Sequence, residues 1–215
     1  MSAPRLSRKE RERRQHREAI LAAALGLFGE HGLHGVSMQQ IAEKAEFATG
    51  TLYNFFQSKE ALFQELLLRC ARRIEEQLTP ILRLHAPPDM RLRELIRAHN
   101  AVIRDNLPEI RLFYKVFQAE ARHTLEPDLL VGDTRAVFDR LQTECAGVID
   151  EGVAAGLFAP MDAQIVTMGL DAMLEAVAFR AAATQQLDQV DRWLAEIERL
   201  FFNGVLVRGG GDAIA

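Results

Sequence analysis

Apolar residues along this chain recur every three to four positions and no stretch alternates with period two, which confines the fold to packed helices. Ala and Leu outnumber the β-branched residues, a composition that favours helix over strand. The pattern predicts an all-α protein of about nine helices. With 215 residues, 48% of them hydrophobic and 26% charged, the chain is long enough to bury a substantial core and balanced enough to fold. Its longest apolar stretch, Ala19–Gly29, falls well short of the roughly 18–20 residues that a membrane span requires, so no membrane is expected as a partner. Glu10, Glu12 and Glu18 interrupt the basic flank before that stretch, and Glu30 and His31 stand where a leader's cleavage site would need small residues. A cytoplasmic location is expected. Cys70 and Cys145 both fall on apolar stripes and are read as buried thiols rather than a disulfide.

The formal charge of -4 is unevenly spread: residues 1–60 carry a net +2 and the remainder a net -6, with cations concentrated in the first twenty positions. Such a segment is either a polyanion contact or a solvated helix end.

Caps and breakers divide the chain further. A first helix is predicted over Ser7–His31 with Ile20, Ala24, Leu27 and Phe28 inward, stopped by Gly32. Ser37 and Gln40 fit a capping box, giving a short helix over Ser37–Ala45. After a break at Glu46–Ala48 comes another short helix, Thr49–Phe55, with Leu52 and Phe55 inward. Ser58 caps a long fourth helix, disturbed at Pro80 and ended before Pro87-Pro88. Five further helices are expected over Asp89–Asn106, Pro108–Arg122, Pro127–Gly156, Asp162–Gln185 and Asp188–Val207, and a disordered tail over Arg208–Ala215. The helix sizes suggest an N-terminal three-helix domain, 7–57, and a C-terminal six-helix domain, 58–207.

Two short helices joined by a tight turn can lay the second in the DNA major groove while the first crosses the backbone, and Ser37–Phe55 has those proportions. Ala22–Gly32, Val36-Ser37-Met38-Gln39-Gln40-Ile41-Ala42-Glu43-Lys44-Ala45 and Thr49-Gly50-Thr51-Leu52-Tyr53-Asn54-Phe55-Phe56-Gln57-Ser58-Lys59-Glu60-Ala61-Leu62 together resemble the TetR family of bacterial transcriptional regulators. The resemblance covers about residues 13–65 at motif level. It implies a helix-turn-helix DNA-binding domain, a C-terminal domain for a small effector, and a homodimer formed through residues 162–207. It further implies a repressor that binds a palindromic double-stranded DNA operator, with Thr49–Phe55 as recognition helix, Thr49, Gly50, Tyr53 and Asn54 facing the groove or phosphates, and Lys59 on a phosphate.

Side-chain chemistry agrees with that assignment. Ser37, Thr51, Tyr53 and Lys59 can donate to phosphate oxygens, while the amides of Gln39 and Asn54 match adenine edges. Arg13, Arg14 and Arg17 could track phosphates or enter the minor groove from a disordered end of the first helix. Ser37 is a helix cap first and a phosphate contact second, and Tyr53 is expected to be exposed because it lies opposite Leu52 and Phe56. The turn departs from the family's common Gly-Val-Ser-Lys. Glu46 replaces a glycine of positive φ, Ala48 lacks a capping hydroxyl, Thr49 lacks a cation, and Asn54 stands where histidine is common.

In the C-terminal helices, polar His99, Asn100 and Tyr114 interrupt apolar stripes, and with Phe63, Leu67, Phe113, Phe117, Met168 and Met173 they are the candidate lining for an apolar or aromatic effector. Ala172, Ala176 and Ala183, facing Trp193, Leu194, Ile197, Leu200 and Phe201, suggest the dimer surface. The alternative is a helical small-molecule carrier or enzyme with an incidental helix-turn-helix. The sequence holds no G-x-S-x-G, G-x-G-x-x-G, P-loop, H-E-x-x-H or paired C-x-x-C. No catalytic residue, metal or cofactor is therefore expected.

Overall fold

The computed structural model describes residues 7–120 and 132–206, apart from the side chains of 116–120. Among the described residues it forms nine α-helices and no strand: α1 Arg8–His31, α2 Met38–Lys44, α3 Thr49–Tyr53, α4 Lys59–Leu82, α5 Pro88–Asp105, α6 Leu107–Glu120, α7 Gly132–Ala154, α8 Ala163–Thr184 and α9 Val190–Val205, the last preceded by a 3-10 turn at Leu187–Gln189. The all-α expectation and its helix order hold. The expected helix end at Arg122, the start at Pro127 and the tail 208–215 lie outside the described residues.

The packing separates the chain into two compact units, 1–69 with 111–129, and 70–110 with 130–215. This packing division falls inside α4, whereas the expected functional boundary precedes it. The cause lies in the α4 sequence: Leu62, Phe63, Leu66 and Leu67 are buried with Ile20, Phe28, Ile41 and Leu52 of the first unit, while Leu78 and Leu82 belong to the core of the second. A long amphipathic helix serves two cores when each half of its apolar stripe has its own neighbours.

In the first unit α1 starts at a complete capping box, Ser7 accepting from the Glu10 N–H at 3.2 Å and Glu10 accepting from the Ser7 N–H at 2.7 Å. Arg8 adds an ion pair one turn on with Glu12 at 2.8 Å. Positions 13–17 are therefore helical, correcting the expectation of a disordered end there. In the second unit α5 packs on α7, α8 and α9. Buried Arg91 joins the structure there, donating to the Leu82 carbonyl at 2.9 Å and pairing with Glu151. Gly152 of α7 lies directly under the Phe158 ring, where any Cβ would collide with it.

Candidate nucleic-acid interface

The corner of the first unit is built from three helix starts. Ser37 caps α2 through the predicted box, accepting from the Gln40 N–H at 3.2 Å while its own N–H donates to Gln40 Oε1 at 2.8 Å. Ser58 accepts from the Ala61 N–H at 3.2 Å and so starts α4. The first turn of α3 has no such side chain, because its N-cap is Ala48.

The turn between α2 and α3 is a Schellman motif lacking its glycine. The Phe47 N–H reaches back to the Ala42 carbonyl at 2.9 Å and the Glu46 N–H to that of Glu43 at 3.1 Å, which forces Glu46 to a φ of 61°. A side chain in the left-handed region is strained by roughly 1 kcal/mol or more. The left-handed geometry expected for a glycine thus survives with Glu in its place. Thr49–Tyr53 is shorter than the predicted Thr49–Phe55 because the Phe55 and Phe56 N–H groups both fold back onto the Leu52 carbonyl, each at 3.0 Å.

Leu52 is fully buried and Tyr53 is 53% exposed, so α3 presents one face inward and the other to solvent, with Gly50 and Asn54 also exposed and Thr49 and Thr51 half-buried. Ser37, Gln40, Tyr53, Gln57 and Lys59 line one open cleft of about 520 Å³ together with His34. Lys59 donates to the Val36 carbonyl at 3.1 Å, holding the segment before α2 against the start of α4. The cleft thus gathers hydroxyl, amide and ammonium donors at the N-termini of α2 and α4, where oriented N–H groups add positive potential. Ser37, Tyr53 and Lys59 were legible as members of this group. His34 was not, because neither motif nor periodicity marks it, and Gln57, although inside the motif, was given no contact role.

Gln39 is exposed on α2, where its amide donates to Glu43 at 3.0 Å. Of the three arginines, Arg14 is exposed, Arg13 stands 5.9 Å from the Phe55 ring centroid, and Arg17 is turned inward. Arg17 lies over the Phe56 ring, donates to the Phe55 carbonyl at 3.4 Å and pairs with Glu65 at 3.3 Å. Its neighbours after α3 and on α4 occupy the guanidinium that the sequence offered to phosphates.

The nine residues expected to line an effector cavity fall in different units. Phe63 and Leu67 are core residues of the first, with Phe113 packed against them and Tyr114 half-buried. In the second, His99 donates through Nδ1 to the Leu95 carbonyl at 2.7 Å, surrounded by dense protein that pushes its pKa below the usual histidine value. Asn100 is spent on a surface bridge, donating to Asp191 and accepting from Arg104 at 2.5 Å. Met173 packs on the second core, whereas Met168 is 57% exposed on the outside of α8 and lines no interior. The Phe117 side chain lies outside the described residues. Leu194 and Phe201, expected on the dimer surface, are instead buried in their own unit, because the inward stripe of α9 runs through Val190, Leu194, Phe201 and Val205. Ala172, Ala176, Ala183 and Leu200 are exposed, and Trp193 and Ile197 half-buried.

A capped two-helix unit with one polar face outward, joined to an all-helical second unit, defines a helix-turn-helix DNA-binding protein. Residues 20–66 match the family model described as bacterial regulatory proteins, tetR family, and residues 85–197 match the one described as tetracyclin repressor-like, C-terminal domain. The chain belongs to the TetR family and is a transcriptional regulator with a DNA-binding helix-turn-helix and a ligand-binding domain. Solved structures share the fold. A tetR-family regulatory protein from Rhodococcus RHA1 superposes with a TM-score of 0.73 at 17% identity, over 91% of this chain and 99% of that one. The fatty acid degradation regulator FadR from Bacillus halodurans gives 0.71 at 19% identity, over 88% and 95%. The ketosteroid transcriptional regulator KstR2 of Mycobacterium tuberculosis gives 0.67 at 20% identity, over 89% and 95%. No curated protein sequence matches the chain. The family's members are regulators, and no described helix is long and apolar enough to cross a membrane.

Proposed function

We propose that this chain is a cytoplasmic repressor that binds a palindromic operator as a homodimer and is released by a small apolar or aromatic effector. The observation that carries the DNA half of this reading is the exposed Tyr53, next in α3 to buried Leu52, sharing a cleft with Ser37 and Lys59. Residues 7–57 form the DNA-binding domain and 58–207 the effector and dimer domain. Ser37, Thr51, Tyr53 and Lys59 position the protein on phosphates, Gly50 permits close approach, and Gln39, Thr49 and Asn54 read base edges, with Arg13 and Arg14 on the flanking backbone. Gln39 must leave Glu43 to do so.

Ile165 at 63% exposure, Met168 at 57% and Leu200 at 55% are large apolar side chains facing outward from α8 and α9, with Ala172, Ala176 and Ala183 between them. A second copy docked there would bury these side chains, which favours residues 162–207 as the dimer surface. Two proteins of related fold, a ketosteroid transcriptional regulator and a fatty acid degradation regulator, favour an apolar effector. The effector acts by favouring a dimer geometry whose recognition helices no longer fit half-sites about 34–36 Å, or a multiple, apart. Selection from random duplex DNA followed by salt titration tests the reading. A palindromic site whose affinity falls steeply with salt supports it, and unselective, salt-insensitive binding overturns it.

A further inference from the structure

Two acidic side chains of the second unit stand together without a cation among the described residues. Asp171 and Glu175 lie one turn apart on α8, a spacing at which like charges repel. Asp171 is on the side of α8 that meets α7: Gln142 favours its charge with a hydrogen bond, and that charge raises the thiol of Cys145. Surrounding protein pushes both carboxyls above the ordinary carboxylate range, and the Asp171 charge adds to this at Glu175. Other acids of this unit are matched: Glu198 pairs with Arg93 and Arg97, Glu144 with Arg83 and Glu151 with Arg91.

A second observation points to a ligand at the same place. Thr167, one turn before Asp171, is 1% exposed, and its hydroxyl oxygen has no hydrogen-bond partner. Buried hydroxyls are ordinarily satisfied, and the group this one faces is the Cys145 thiol, a weak donor and a weak acceptor. Thr167, Asp171 and Glu175 thus form a line of oxygen acceptors along the α7 side of α8, buried at Thr167, half-buried at Asp171 and open to solvent at Glu175.

Resting on the effector reading above, we propose that this line is a subsite for an organic ammonium group, so that the effector carries a protonated amine on its apolar body. An ammonium brings three donors and no acceptor to a place that holds acceptors alone, and its charge cancels the repulsion between the two carboxylates. A ligand carboxylate or phosphate would add to that repulsion, and a neutral group would leave it as it is. The ammonium sits between Asp171 and Glu175, with one N–H turned toward the Thr167 oxygen.

The test uses the full-length protein and three probes that share a tail and differ in head group, decylammonium, decanol and decanoate, titrated calorimetrically at pH 7 below their micelle concentrations. The expected order is ammonium, alcohol, carboxylate, with the ammonium about tenfold tighter than the alcohol. Asp171→Asn/Glu175→Gln brings decylammonium to the affinity of decanol and leaves decanol unchanged. These amides remove charges that burial already disfavours, so the double variant is expected to fold, which its urea midpoint checks. Thr167→Val weakens decylammonium alone, whereas Asp150→Asn, at an exposed acid of α7, keeps the full preference. Lowering the pH from 7 to 5 weakens decylammonium but not decanol, because protons then compete for the raised carboxyls. Equal binding of the three probes, no binding of decylammonium, or a preference that survives in the double variant overturns this proposal. A double variant that dissociates in sedimentation with its ammonium preference intact assigns the two carboxylates to a second copy and overturns it as well. Release of the selected operator duplex by decanol in any of these cases keeps the effector reading standing.

Discussion

Arg17 holds its guanidinium 4.3 Å from the centroid of the buried Phe56 ring, joining α1 to the segment that follows α3. The same group pairs with Glu65 of α4, and Arg69 continues the chain of charges to Glu65 at 2.9 Å and Glu18 at 2.6 Å. A planar guanidinium can stack on a ring and donate in its plane at once, which an ammonium cannot. Arg17→Ala is expected to destabilise the protein by about 1–2 kcal/mol in urea unfolding, and Arg17→Lys to recover less than half of that. A phosphate contact would behave differently, since lysine would then restore DNA affinity and salt slope.

The α2–α3 turn is the place where this sequence is locally at odds with its fold. Glu46 adopts a φ of 61° and Ala48 leaves α3 without a side-chain cap. Glu46→Gly should stabilise by about 0.5–1 kcal/mol by removing left-handed strain, and Ala48→Ser by about 1 kcal/mol by capping. Both are read as shifts in the urea midpoint at constant m. A decrease in stability for Glu46→Gly would mean that the Glu side chain holds the turn by some contact of its own.

The helix order, the caps at Ser37 and Ser58 and the exposure of Tyr53 were legible because each is dictated by residues within a few positions of one another. Arg17 was misread for the opposite reason: its partners Phe56 and Glu65 are distant in sequence, and an arginine on a basic helix looks alike whether it faces a phosphate or a ring. Met168 and Phe201 show the same failure in an apolar setting. α8 is apolar nearly all round, so periodicity does not say which of its stripes faces the chain's own core, whereas the apolar stripe of the amphipathic α9 was assigned to a second copy instead of to that core.

In the proposed reading Tyr53 and Lys59 meet phosphate by different chemistry, and salt separates them. Lys59→Gln removes a cation and should reduce the salt slope by about 0.9 per protomer. Tyr53→Phe removes a neutral donor, so affinity should fall roughly fivefold with the slope unchanged. Neither should dissociate the proposed dimer in sedimentation. Because Lys59 also binds the Val36 carbonyl, its variant should carry a stability loss of about 1 kcal/mol that Tyr53→Phe lacks.

Both cysteines are free and buried, and burial pushes each thiol up to about 12. The thiolate is the reactive species, so native protein at pH 8 should react with a disulfide reagent only as fast as it opens. Labelling of Cys70 and Cys145 is expected to be slow in buffer and immediate in urea. Rapid labelling of either in buffer would show that its helix opens locally.

His99 makes stability depend on pH in a direction fixed by its surroundings. Burial lowers its folded-state pKa, the hydrogen bond to Leu95 opposing only in part, whereas in the unfolded chain it titrates near 6.5. Below that pH the unfolded chain takes up a proton that the native imidazole resists, so stability present above about pH 6.5 is lost as the pH falls, until the native ring protonates too. The steepest slope one proton can give is about 1.4 kcal/mol per pH unit. Asp171 and Glu175 act oppositely. Burial raises both carboxyls, with the Asp171 charge adding to the effect at Glu175, so they favour the native state most when protonated. Urea unfolding from pH 7.5 to 5.5 should therefore show a decline in the wild-type protein that flattens in His99→Leu. Equal declines in the two proteins would place the linkage on other groups.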